Sequence, residues 1–140
     1  MSNKTKMNQH DQRRVAFQTI FLLNQTDNDL TVAGALDQVA QTLELDAELP
    51  EYLVFLVQGV ADNQAELNEQ ISSHLKKGWQ LSRISNINLA ILQLAIFEIL
   101  HSESIPAVGA VNEALNLTSE FSDDKSKAFI NGILSNFIKD

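Results

Sequence analysis

The chain has 140 residues, enough to bury a hydrophobic core without disulfide or metal staples. It has no cysteine, which excludes a disulfide frame and a thiolate metal site, and its two prolines and five glycines are too few for the turn-dense punctuation of an all-β protein. The net charge of −8 opposes phosphate as a sum, but four cations against Asp11 give residues 1–14 a charge of +3 and leave −11 for the remainder.

The opening stretch, MSNKTKMNQHDQRR, lacks the apolar run of a signal peptide, and no later run reaches the ~20 apolar residues of a membrane span. This points to the cytoplasm and to no membrane partner. Residues 1–10 read as a mobile basic arm and 11–140 as one domain. Asp11 can cap a helix to about Leu23, with Ala16, Ile20 and Leu23 on one stripe and Phe17 and Phe21 four residues apart beside it. Thr31 caps the next helix, whose Val32, Ala35, Leu36, Val39, Ala40 and Leu43 keep the i, i+3, i+4, i+7 rule. Pro50 suits a first helical position. Leu53, Leu56, Val57, Val60, Gln64, Leu67, Ile71 and Leu75 then trace one face of a long helix, with a bend expected near Gly59.

Lys77-Gly78-Trp79 breaks the pattern, and Ser82 or Ser85 can start the helix that organises the fold. From Ile84 to Leu100, ISNINLAILQLAIFEIL, twelve of seventeen residues are apolar, too long for a strand and greasy around most of a helix. Such a helix is a central post covered on several sides. Asn88, Gln93 and Glu98 are smeared around it at spacings of five, so some must find partners inside. Ile105-Pro106 marks the next boundary, because a residue before proline avoids helical backbone. Val108, Val111, Leu115 and Thr118 stripe the following helix. Ser122 or Asp123 caps the last, where Ile130, Ile133, Leu134, Phe137 and Ile138 form the buried face. The expected fold is an all-α bundle of six or seven helices around a buried central helix.

Charge is patterned along this scaffold. From Asp27 to Glu69 there are ten acids and no Lys or Arg, whereas base returns at His74, Lys76, Lys77 and Arg83 and again at Lys125 and Lys127. Three basic islands form one site if the fold gathers them, or three solvated surfaces if it does not. No glycine-rich phosphate loop, H-E-x-x-H or Cys/His cluster occurs. No catalytic residue, metal ligand or cofactor site is therefore expected, and the chain does not read as an enzyme.

The second half is more specific. Trp79-Gln80-Leu81-Ser82-Arg83-Ile84, ILQLAIFEIL, IPAVGAVNEAL and FSDDKSKAFINGIL, in this order and spacing, resemble the NusB family of bacterial transcription antitermination factors, and RRVAFQTIFLL extends the likeness to the first helix. The resemblance implies an all-helical protein that binds the boxA element of nascent ribosomal-RNA transcripts together with NusE, a small-subunit ribosomal protein, and helps RNA polymerase read through terminators. In the family, RNA lies across the N-terminal arm, an aromatic position at the end of the long helix and the start of the last helix. Those are the places where base returns here.

Carried over residue by residue, the resemblance puts Arg13 on an RNA-contacting arginine with Arg14 beside it, although the preceding arginine run is thinned to Gln9, His10, Asp11 and Gln12. Phe21 matches an aromatic flanking the RNA and is equally well a core partner of Phe17. His74 stands where a relative has tyrosine, and Phe129 matches directly. Lys125 replaces a commonly acidic residue and Ala128 a commonly basic one, a change for which Lys127 can compensate. Asn112, Glu113 and Asn131 match patterned positions beside buried stripes and read as structural. Two competing readings are a NusB-like accessory domain related to RNA methyltransferases and a helical module that binds protein alone.

Overall fold

Capping side chains mark where most of the helices begin. The structure, a computed structural model, describes residues 7–25, 29–45 and 48–138. Its regular elements there are seven α-helices, α1 Gln9–Asn24, α2 Val32–Thr42, α3 Glu51–Asp62, α4 Gln64–Ser73, α5 Asn86–His101, α6 Ala107–Phe121 and α7 Asp124–Leu134, with 3₁₀ turns at Leu81–Arg83 and Ser135–Phe137. They group into two compact units, Met1–Asp62 and Asn63–Asp140.

In the first unit α1 packs on α2 and α3. Helix α1 starts three residues earlier than the sequence suggests, because the Asn8 carboxamide accepts the Asp11 N–H at 2.7 Å and takes the capping role assigned to Asp11. Gln9 and His10, read as part of the arm, are thus helical, while the arm's Lys4 and Lys6 lie outside the described residues. Thr31 caps α2 as expected, its hydroxyl accepting from the Gly34 N–H at 2.9 Å. The core here is Ala16, Phe17 and Ile20 of α1 against Ala35 and Leu36 of α2 and Leu53, Leu56 and Val57 of α3. Each large side chain so buried contributes about 1.5–3 kcal/mol. Leu43, the last member of the expected α2 stripe, is instead 40% exposed, since the helix has already ended and Glu44 turns to a φ of +57°.

The long helix expected from Pro50 to Leu75 is two. Pro50 immediately precedes α3, and the break falls at Asn63 (φ −116°, ψ 20°), not at Gly59, which sits in regular α3. Asp62 and Asn63 are residues whose side chains favour local hydrogen bonds over helix interior. A one-residue interruption leaves the apolar spacing nearly in phase, so periodicity alone misses it.

In the second unit α5 packs on α4, α6 and α7, and α6 packs on α7. Ser85 caps α5, and every residue from Ala90 to Glu98 is buried, so this helix is the post of its unit. Its polar residues do find partners: Gln93 donates to Asn68 Oδ1 of α4 at 2.8 Å, and Asn88 bonds two serines described below. On α6 the buried face is Ala110, Val111, Ala114, Leu117 and Thr118, while Val108 is 53% exposed and Leu115 half-buried. Two alanines carry this stripe, and weighting large side chains shifted the expected one. Asp123 rather than Ser122 caps α7, and Ile130, Ile133 and Leu134 are buried. Phe137 and Ile138 are only half-buried because the helix tightens into a 3₁₀ turn after Leu134 and its phase changes.

Candidate nucleic-acid interface

Between α4 and α5 the chain must reverse quickly, and Gly78 allows it with a φ of +91° that other residues rarely adopt. The Trp79 N–H closes the turn on the Lys76 carbonyl at 3.0 Å. The turn leaves the Trp79 indole 51% exposed, held against the half-buried Phe129 ring of α7 with centroids 5.9 Å apart and planes tilted by 31°. The centroid separation lies within the range over which aromatic pairs attract one another.

The two rings border two clefts of the second unit. One, of about 400 Å³, is lined by His74, Lys76, Trp79, Phe129 and Ile133 among others. His74 ends α4, its Nδ1 2.8 Å from the Gln70 carbonyl and 3.2 Å from Ser73 Oγ. Its ring lies 5.0 Å from that of Phe137. The other cleft, of about 700 Å³, has Trp79 and Phe129 on its wall with Arg83, Lys125, Asn88 and Ser126 around it.

The start of α7 is tied down on both sides. Asp123 accepts the Ser126 N–H at 2.8 Å, and its carboxyl is held below the ordinary carboxylate range, first by that N–H, then by the Ser126 hydroxyl and, more weakly, by neighbouring Lys125. Asn88 donates to Ser126 Oγ at 2.8 Å and accepts from Ser122 Oγ at 3.1 Å. The hydroxyls and amide run in one direction, Ser122 to Asn88 to Ser126 to Asp123, and join α5 to α7 where Lys125 leaves the helix.

In the first unit α1 carries the other candidates. Arg13 is only 3% exposed, with Nη2 3.4 Å from Gln9 Oε1. Residues 13, 16, 17 and 20 share one helical stripe, so the cation expected at the surface follows Ala16, Phe17 and Ile20 into the interior. Arg14, one position round the helix, keeps 43% of its side chain exposed with Asp11 3.7 Å away. Phe21 is half-buried, its ring stacked on Phe17 at 6.2 Å and 30°.

A model described as the NusB family matches residues 10–139. The chain belongs to the NusB family. It is 45% identical over 138 residues to the transcription antitermination protein NusB of Latilactobacillus sakei, covering 94% of this chain and 96% of that protein. To the NusB of Enterococcus faecalis it is 39% identical over 145 residues, with 99% and 94% covered. T. maritima NusB superposes with a TM-score of 0.79 at 25% identity, over 94% of this chain and 91% of that one. A chain from a crystal structure of antitermination factors NusB and NusE in complex with dsRNA shares the fold, with a TM-score of 0.79 at 19% identity over 94% and 97%.

Of the positions that NusB likeness singles out, His74 and Phe129 line the smaller cleft together, and Phe129 and Lys125 line the larger. Lys127 is exposed on α7 and is absent from both linings. Trp79 and Arg83 are not among the residues that the resemblance singles out for RNA, although Arg83 belongs to the second basic island and a lone tryptophan after Lys-Lys-Gly in an acidic chain is the available signal for Trp79. Among the described residues no group of three or more His, Cys, Asp or Glu side chains could hold a metal ion, and no helix is long and apolar enough to cross a membrane.

Proposed function

We propose that this NusB-family chain is a non-catalytic transcription antitermination factor that binds boxA-type single-stranded RNA together with NusE and supports read-through by RNA polymerase in the cytoplasm. The observation that carries it is kinship along nearly the whole chain to proteins that are transcription antitermination proteins, over 94–99% of its length. The geometry supports the reading. In an acidic protein, aromatic rings at the surface stand beside His74, Lys76, Arg83 and Lys125, and stacking rings with nearby cations are what single-stranded nucleic acid requires.

In this reading Phe129 and His74 stack on bases, Lys125 and Lys127 attract phosphate at the start of α7, and Arg14 and Phe21 of α1 contact RNA from their own unit. Arg13 serves the same end chiefly by holding α1 in shape. The experiment is fluorescence anisotropy of a labelled boxA-type RNA, with and without NusE. An acidic protein with small basic islands binds RNA weakly alone, and a basic ribosomal partner tightens it. An RNA affinity that NusE leaves unchanged refutes the adaptor role.

A further inference from the structure

We infer that the larger cleft beside Trp79 is a nucleotide subsite of its own, in which Trp79 stacks on an RNA base and Arg83 and Lys125 hold the adjoining phosphate. The inference rests on the RNA-binding reading above and adds to it residues that the family resemblance did not single out for RNA. One part of the argument is exposure. An indole that is half in water costs hydration, and here it is not a loose surface ring: the Gly78 turn and Phe129 hold its orientation. Trp79 thus presents a fixed, partly open π-surface, and stacking on such a surface is tolerant of base identity.

Charge supplies the second part. Arg83 and Lys125 come from the 3₁₀ turn before α5 and the first turn of α7, and both border this one cleft. Asp123 also borders it, but its carboxylate is engaged by the Ser126 N–H and hydroxyl, and the three charges together leave +1 on the cleft in a protein of −8. The third part is volume and rigidity. About 700 Å³ is in the size range of small-molecule sites. The Ser122–Asn88–Ser126 hydrogen bonds keep the α5 and α7 walls at fixed separation. The Trp79–Phe129 pair then stands as a ridge between two subsites, so that successive bases of one strand fall on either side of it.

Trp79 is the only tryptophan in the chain, so intrinsic emission reads this ring alone. The test titrates the full chain with boxA-type single-stranded RNA at low salt, following tryptophan emission and, separately, anisotropy of the labelled RNA. The expected result is quenching with the same midpoint as the anisotropy rise. Trp79→Ala should weaken binding about 5- to 150-fold, the range for one lost base–aromatic stack, and Trp79→Phe should restore most of it. Arg83→Ala, on an exposed side chain, should lower the log–log salt slope by about 0.7. Emission untouched by saturating RNA, or a Trp79→Ala protein that binds as wild type, overturns the subsite while leaving RNA binding elsewhere intact. RNA that fails to bind at all, with or without NusE, removes the functional reading as well.

Discussion

Asn88 of α5 and Ser126 of α7 are 38 residues apart in sequence and 2.8 Å apart in space, and with Ser122 they form the polar joint between the two helices. A carboxamide that is 8% exposed cannot turn to water when its partners are lost. Asn88→Ala should therefore cost about 1–3 kcal/mol of stability in urea or thermal unfolding, the range for stranded buried polar groups. An unchanged midpoint would mean that the joint contributes nothing.

Adjacent arginines on α1 should behave differently. Arg14 is open to solvent, so Arg14→Ala should leave stability within about 0.5 kcal/mol and flatten the salt dependence of RNA binding by about 0.7 in log–log slope. Arg13 is inside, so Arg13→Ala should cost about 1.5–3 kcal/mol of stability, the range for hydrogen bonds to charged groups. Salt titrations that show the slope lost with Arg13 and kept without Arg14 would reverse these roles.

Phe129 and Ile133 offer a matched pair on α7. Phe129 is half-buried against Trp79 and Ile133 is 4% exposed. Phe129→Ala should weaken RNA binding by about 1–3 kcal/mol. Ile133→Ala should cost about 2–5 kcal/mol of stability and, although its side chain borders the smaller cleft, should lower RNA affinity per folded molecule less than Phe129→Ala does. A Phe129→Ala protein that melts as early as Ile133→Ala yet binds normally when folded would take Phe129 out of the site.

The start of α7 should be sensitive to acid. The Asp123 carboxyl is depressed in the folded protein, chiefly by the Ser126 N–H, so its charge stabilises the fold above the ordinary carboxylate range and that contribution is lost as pH falls through the folded value. Asn can still cap a helix without the charge. The stability difference between wild type and Asp123→Asn should be greatest near neutral pH and shrink on acidification below about pH 4. Thermal melts across that range check it, and a pH-independent difference would contradict it.

Much of the fold was legible in the residues themselves. Helix class, the α2 stripe with its Thr31 cap, a start of α5 at Ser82 or Ser85 and the Pro106 boundary follow from spacing and from side chains that bond their own backbone, both local properties; the structure selects Ser85. The early start at Asn8 does not follow from local signals because Asn8 and Asp11 are both competent caps and a small difference in local hydrogen bonding decides between them, whereas the break at Asn63 hides behind an apolar spacing that stays nearly in phase. The stripe of α6 moved because Ala110 and Ala114 face whichever neighbour comes closest, and an alanine's preference for either side is too weak to read in advance.

The site divides along the same line. His74, Phe129 and Lys125 became candidates for RNA through the family resemblance carried by motif order, and the sequence by itself determined which residue types were present to bind. Only the tertiary structure decided which of them meet. It took Arg13 inside because three apolar residues share its stripe, and it placed Trp79, fifty residues from Phe129 in the chain, against that ring. Such meetings depend on how the α4–α5 turn and the start of α7 pack around α5, and no local propensity of Lys-Lys-Gly-Trp encodes that distance.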